Sequence, residues 1–111
     1  MVLYLIEHGA DINAKDESGR SVLHLAVRRK DMIMVCSLIE YGADINAKDE
    51  RKQTALLLAA KKKNWTLVQW LVERGADVNA KNKFGHTALF FIVKSEYYEL
   101  AQWLVEHGAK E

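Results

Sequence analysis

Residues Gly9–Lys15 read GADINAK, Gly42–Lys48 read GADINAK again, and Gly75–Lys81 read GADVNAK. A fourth Gly-Ala step, Gly108-Ala109, is followed by Lys110 where the others have aspartate. The glycines stand at 9, 42, 75 and 108, a constant interval of 33 residues. A repeat of this length and fidelity predicts a solenoid. One such unit cannot bury its apolar face alone, so neighbouring units must stack.

Each Gly-Ala step closes an apolar run with helical spacing. Val2, Leu3, Leu5 and Ile6 precede Gly9, and the runs at 32–40, 65–73 and 98–106 precede the other three. Glycine after such a run supplies the left-handed helix stop. A turn-rich connector follows each step; in the first, Asp11, Asn13, Asp16 and Gly19 carry the turn chemistry. Ser21, Thr54 and Thr87 then stand as N-caps for short first helices at 22–29, 55–62 and 88–95. The expectation is seven helices, one N-terminal and then three antiparallel pairs, with connectors projecting to one side and no long β-sheet. Each helix is too short to be stable alone, so stacking must supply the stability.

The 111 residues fit one domain, divided as a partial repeat at 1–11 and full repeats at 12–44, 45–77 and 78–110. The chain is expected to begin mid-unit, as a fragment or with an abbreviated first unit. Half of the residues are apolar, enough for a core, and the formal net charge is +1. That balance gives no bulk attraction to nucleic acid or acidic lipid. Cys36 is the single cysteine, so no internal disulfide can form and a reducing compartment is expected. No apolar window approaches the roughly 18 residues of a membrane span.

Two short helices and a turn in 33 residues resemble the ankyrin repeat. That family's first helix usually opens Thr-Pro-Leu-His-x-Ala. The matching stretches here are Ser21-Val22-Leu23-His24-Leu25-Ala26, Thr54-Ala55-Leu56-Leu57-Leu58-Ala59 and Thr87-Ala88-Leu89-Phe90-Phe91-Ile92. The resemblance covers nearly the whole chain. It implies an all-α solenoid of stacked helix-turn-helix units with projecting β-turn connectors. It also implies a non-catalytic protein–protein interaction module. The departures are informative. Val22, Ala55 and Ala88 stand where the family has its preorganised proline. Lys30, Lys63 and Glu96 stand where glycine often separates the two helices. Lys52 takes the turn position of Gly19 and Gly85, and is expected to share a strained positive φ.

Candidate chemical residues have plain structural readings. His8 and His107 share one repeat position at opposite ends of the solenoid, so they cannot share a metal; both suit the negative end of a helix dipole. His24 sits where the family histidine hydrogen-bonds around the turn. The Asp-x-Asn segments at 11–13, 44–46 and 77–79 lack the glycine and spaced glutamate of a calcium loop and read as turn caps. Cys36 has no histidine or acid at a useful spacing. No cofactor or metal site is expected. Trp70 and Trp103 share a repeat position and read as an aromatic ladder along the stack. Gly9, Gly42, Gly75 and Gly108 are structural, as are the three caps.

The resemblance places binding on the connector tips and the concave side of the first helices. The tip residues are Glu17, Ser18 and Arg20; Glu50, Arg51 and Gln53; and Lys83, Phe84 and His86. The helix positions are Arg28, Arg29, Lys61, Lys62 and Lys94. The basic run suggests a protein partner with an acidic surface. Phe84, a large apolar residue at a tip, is either an anchor or packed on Tyr97 or Tyr98. Three alternatives stand beside this reading: a scaffold segment of a longer array, a nucleic-acid or nucleotide binder, and an enzyme. The small net charge disfavours nucleic acid, and no acid, base and nucleophile constellation supports catalysis. The expected location is inside a cell, cytoplasmic or nuclear, and a viral or bacterial protein acting in a host would fit equally. Exposed apolar ends are expected to self-associate weakly, with the helix at 2–8 least protected.

Overall fold

The computed structural model describes residues 12–110. Six α-helices occur among them: α1 (Val22–Arg28), α2 (Met32–Glu40), α3 (Ala55–Lys61), α4 (Trp65–Glu73), α5 (Ala88–Lys94) and α6 (Tyr98–Glu106). The expected N-terminal helix and Gly9 lie outside the described residues. The first helices end one residue earlier than the sequence pattern predicts, because Arg29, Lys62 and Ser95 are C-caps. The one β-bridge among the described residues joins Lys15 and Ser21. No helix among them is long and apolar enough to cross a membrane.

Local chemistry sets every helix boundary. Ser21 accepts from the backbone N–H of His24, while the His24 ring accepts from the Ser21 N–H, which closes a capping box. Thr54 and Thr87 accept from the N–H groups of Leu57 and Phe90. Each first helix then stops on a left-handed residue: Lys30, Lys63 and Glu96 have φ of 58°, 60° and 62°. Their N–H groups donate to Val27, Ala60 and Val93, and the next residues donate to Ala26, Ala59 and Ile92. That pair of bonds is the Schellman closure. The residue after the stop also opens the second helix. Asp31 and Asn64 cap α2 and α4 by accepting from Met34 and Leu67. Tyr97 opens α6 with no side-chain cap and instead sets its ring edge-on to Trp65, 5.8 Å away. The second helices close on Gly42, Gly75 and Gly108, with φ of 96°, 96° and 105°.

Stacking runs chiefly through the first helices, α1 on α3 and α3 on α5, with each second helix on its own partner. The sequence of α3 explains its place. Ala55, Leu56, Leu57, Leu58, Ala59 and Ala60 are all buried, an all-round apolar helix held between two neighbours. Its alanines permit close approach, and its leucines each contribute about 1.5–3 kcal/mol on burial. The helix α6 packs chiefly on α5.

The repeated GADINAK segments have a shared bond. Asn13, Asn46 and Asn79 each accept, through Oδ1, the N–H of the residue 31 positions on: Asp44, Asp77 and Lys110, at 2.8, 2.8 and 2.9 Å. Asp44 and Asp77 cap the N–H groups of Asn46 and Asn79. These are turn caps, and among the described residues no group of three His, Cys, Asp or Glu is placed to hold a metal.

The ladder expected of Trp70 and Trp103 is not formed. Each ring is covered along its own helix by the residue four on, Trp70 by Arg74 at 5.1 Å and Trp103 by His107 at 3.9 Å. His107 also donates from Nδ1 to the Trp103 carbonyl, 2.8 Å away. An i, i+4 neighbour is always within reach of an aromatic ring, whereas the second helices of adjacent repeats approach less closely than the first.

Candidate functional site

Three hairpin connectors carry the candidate residues, and one backbone pattern builds all three. Asp16, Asp49 and Asn82 occupy the same repeat position. Asp16 Oδ1 accepts the N–H groups of Ser18 and Arg20. Asp49 Oδ1 accepts those of Arg51 and Gln53, and Asn82 Oδ1 those of Phe84 and His86. All these bonds are 2.9–3.0 Å long. The turn then passes through a left-handed residue: Gly19 at φ 75°, Lys52 at 59° and Gly85 at 79°. Gly19 is further constrained, because a Cβ there would come within 2.9 Å of the Glu50 nitrogen. Neighbouring tips are tied together, Glu50 N–H to the Ser18 carbonyl at 3.0 Å and Lys83 N–H to the Arg51 carbonyl at 2.8 Å.

A cleft of about 500 Å³ lies between the first two connectors and the helices behind them. Five cations line it: Arg20, Arg28, Arg51, Lys61 and Lys62. Two carboxylates, Asp49 and Glu50, oppose them, and Ser18, Gln53 and Leu58 complete the wall. Arg20 is already committed in part, with its Nε 3.2 Å from Asp16 Oδ2. That charge, and above all the N–H of Arg20 followed by that of Ser18, hold the Asp16 carboxyl below the usual carboxylate range.

Gln53 is the least ordinary member of the wall. It is 5 % exposed. Its N–H donates to Asp49, and its carbonyl accepts from His24 Nε2 at 2.7 Å, so its main chain is fully engaged. His24 thereby staples the first repeat to the second. Its Nδ1 accepts from Ser21, which leaves the proton on Nε2 for Gln53. The side-chain Oε1 of Gln53, by contrast, is buried and has no hydrogen-bond partner. An unpaired buried acceptor costs about 1–3 kcal/mol.

The third connector differs in kind. Phe84 is 69 % exposed at its tip. It packs on neither Tyr97 nor Tyr98 but lies beside His86, centroids 6.3 Å apart. His86 stacks flat on Phe90 at 3.8 Å and meets Phe91 edge-on at 5.8 Å. Lys94 Nζ stands 5.9 Å from the Phe90 centroid. Of the remaining candidates, Glu17, Arg29 and Lys83 are exposed and do not line the cleft. Cys36 is half-buried and free.

Sequence reasoning passed over Asp49, Leu58, Phe90 and Phe91. The 33-residue register held the signal for them. Leu25, Leu58 and Phe91 share one position on the first helices, and Leu25 is partly exposed although the second repeat stacks on its helix. An apolar residue recurring beside the cation row Arg28, Lys61 and Lys94 marks the floor of a groove.

A second cleft of about 490 Å³ lies on the outer side of α5 and α6, lined by Leu89, Val93, Tyr98, Ala101, Gln102 and Val105. One repeat earlier the matching positions Leu56, Ala60 and Val68 are buried, on the side where the third repeat stacks.

Comparison with protein-family models matches residues 33–111 to "Ankyrin repeats (3 copies)" and residues 5–56 to "Ankyrin repeats (many copies)". No curated protein matches the chain. The fold is a non-catalytic scaffold whose general role is protein–protein interaction. The 33-residue period, the paired short helices and the family models agree: this chain belongs to the ankyrin-repeat family.

Proposed function

We propose that the concave face binds an acidic segment of another protein, seated in the cleft between the first and second connectors. The observation that carries this reading is the composition of that cleft: five cationic side chains against two carboxylates. Carboxylates of the partner neutralise the cations. Backbone bonds hold the tips in place beforehand, so little ordering entropy is lost on binding.

A second reading, a unit within a longer repeat stack, is supported by the apolar cleft on α5 and α6. Salt separates the two. An acidic ligand in the basic cleft weakens as salt rises, by screening, whereas stacking on an apolar face does not. The test is anisotropy of labelled Glu- and Asp-rich decapeptides at about 50 and 150 mM salt, with matched Lys-rich peptides as control. The expected result is affinity for the acidic set alone, falling with salt, and roughly tenfold weaker in R28E/K61E. Affinity that is indifferent to salt and to that double reversal would overturn the reading.

A further inference from the structure

We infer that the bound acidic segment also carries a large apolar residue, which docks against Phe84 on the third connector. This rests on the acidic-cleft reading and adds to it a second chemistry and a spacing. Phe84 occupies the repeat position of Ser18 and Arg51, both in the wall of the cationic cleft. Arg51 remains exposed with the third repeat stacked behind it, so this position faces outward whatever stands beyond it. The Lys83 N–H to Arg51 carbonyl bond joins the second tip to the third, and makes the aromatic tip the direct continuation of the basic one.

The third tip is built to receive an apolar group rather than merely to display one. The Phe84 N–H is held by Asn82, which fixes where the side chain leaves the backbone. Beside Phe84 stands His86, itself braced flat on Phe90 and edge-on to Phe91. A partner side chain laid against Phe84 therefore meets a rigid aromatic wall, which loses little entropy on binding. Lys83 and Lys94 flank that wall, so carboxylates on either side of the anchor are also accommodated. Charge complementarity thus selects the same kind of segment at both places. Adjacent repeats lie about 8–10 Å apart, and the third tip is about one and a half repeats from the middle of the cleft. An extended chain covers roughly 3.3 Å per residue. The anchor therefore falls about three to five residues from the acidic cluster.

Display selection on the 111-residue chain tests this, using a random dodecapeptide library at about 50 mM salt. Wild type should enrich peptides with clustered Asp or Glu and an aromatic or large aliphatic residue about three to five positions away. F84A, checked for an unchanged melting curve, should keep the acidic preference and lose the apolar one. It should bind the best wild-type peptide about tenfold more weakly. Acidic enrichment with no apolar position, or an apolar preference that F84A leaves intact, overturns the anchor while the acidic cleft stands. Selection with no acidic enrichment overturns both.

Discussion

The segment at each Gly-Ala step and the connector tip that follows it are neighbours in the chain and opposites in behaviour. Asn13, Asn46 and Asn79 are one residue three times, each clamping the backbone of the next repeat within 0.1 Å of the same distance. Ser18, Arg51 and Phe84 are three different residues on backbone held by the same two bonds from Asp16, Asp49 or Asn82. Identity is required where a side chain meets the next repeat. Freedom begins where the backbone already satisfies itself and the side chain faces outward. The contrast separates the positions that hold the stack together from those that the proposed binding surface uses.

The strongest way to test that division is to remove a framework bond and a tip side chain in parallel. His24 is buried and joins Ser21 to Gln53 across the first seam. His24→Ala opens a cavity and leaves the Ser21 N–H without its ring acceptor, a loss of about 3 kcal/mol. Arg51→Ser and Phe84→Ser, at exposed tips, should each stay within about 0.5 kcal/mol of wild type. Urea unfolding of the three variants measures the difference. A His24→Ala loss no larger than the tip values would erase the distinction.

Gln53 sits on the boundary, with a framework main chain and an unpaired side-chain oxygen. Gln53→Met keeps the volume and removes the orphan acceptor. It should stabilise the free chain by about 1 kcal/mol and, because that oxygen is sealed from the cleft, leave acidic-peptide binding unchanged. Weakened binding would show that the Gln53 side chain opens to the ligand. A destabilised protein would show that Oε1 is already satisfied in the free chain.

Much of this architecture is legible in the residues. Period, helix ends and caps are local features, written in Gly42, Gly75, Ser21 and Thr54 and their spacing. The cation row and the outlying Phe84 can be read from register. The remainder depends on how far one repeat is rotated against the next. That the Asn46 side chain reaches Asp77 and that Gln53 Oε1 is sealed without a donor are consequences of that rotation. No window within one repeat contains them. Two adjacent phenylalanines in a helix, Phe90 and Phe91, do not show in the sequence which one turns outward. Phe91 is half-buried, and Phe90 is instead the exposed platform under His86.

Lys52 gives a smaller effect on the framework side. It holds φ 59° at the place where Gly19 and Gly85 hold 75° and 79°. A side chain in the left-handed region costs about 1–2 kcal/mol, and glycine gives back part of this through its freer unfolded chain. Lys52→Gly should therefore stabilise by about 0.5–1 kcal/mol, and Lys30→Gly, Lys63→Gly and Glu96→Gly should do the same at the first-helix stops. Melting temperature is the readout. A fall on any single glycine substitution would mean that the replaced side chain contributes more than the backbone strain removes.

The smallest effect separates two first-position turn residues that make the same bonds, Asp16 and Asn82. Both accept two N–H groups within their own connector, but only Asp16 carries charge, and it faces Arg20. The Arg20 N–H, the Ser18 N–H and the Arg20 guanidinium together lower its pKa in the folded chain, against a smaller opposing effect of desolvation. A carboxyl with a depressed folded pKa contributes stability above its unfolded pKa, and that contribution fades as pH falls through the folded one. The window here therefore lies below about pH 4. Asp16→Asn keeps both acceptor bonds, as Asn82 does in the third connector, and removes the titration. At pH 7 the two proteins should melt within a degree or two of each other, because an exposed ion pair contributes little. Between about pH 4 and pH 2.5 the wild type should lose stability faster than Asp16→Asn, so that the difference between their melting curves narrows or changes sign. Parallel acid limbs would show that Asp16 titrates alike folded and unfolded, and that the first and third connectors differ only in what they present at their tips.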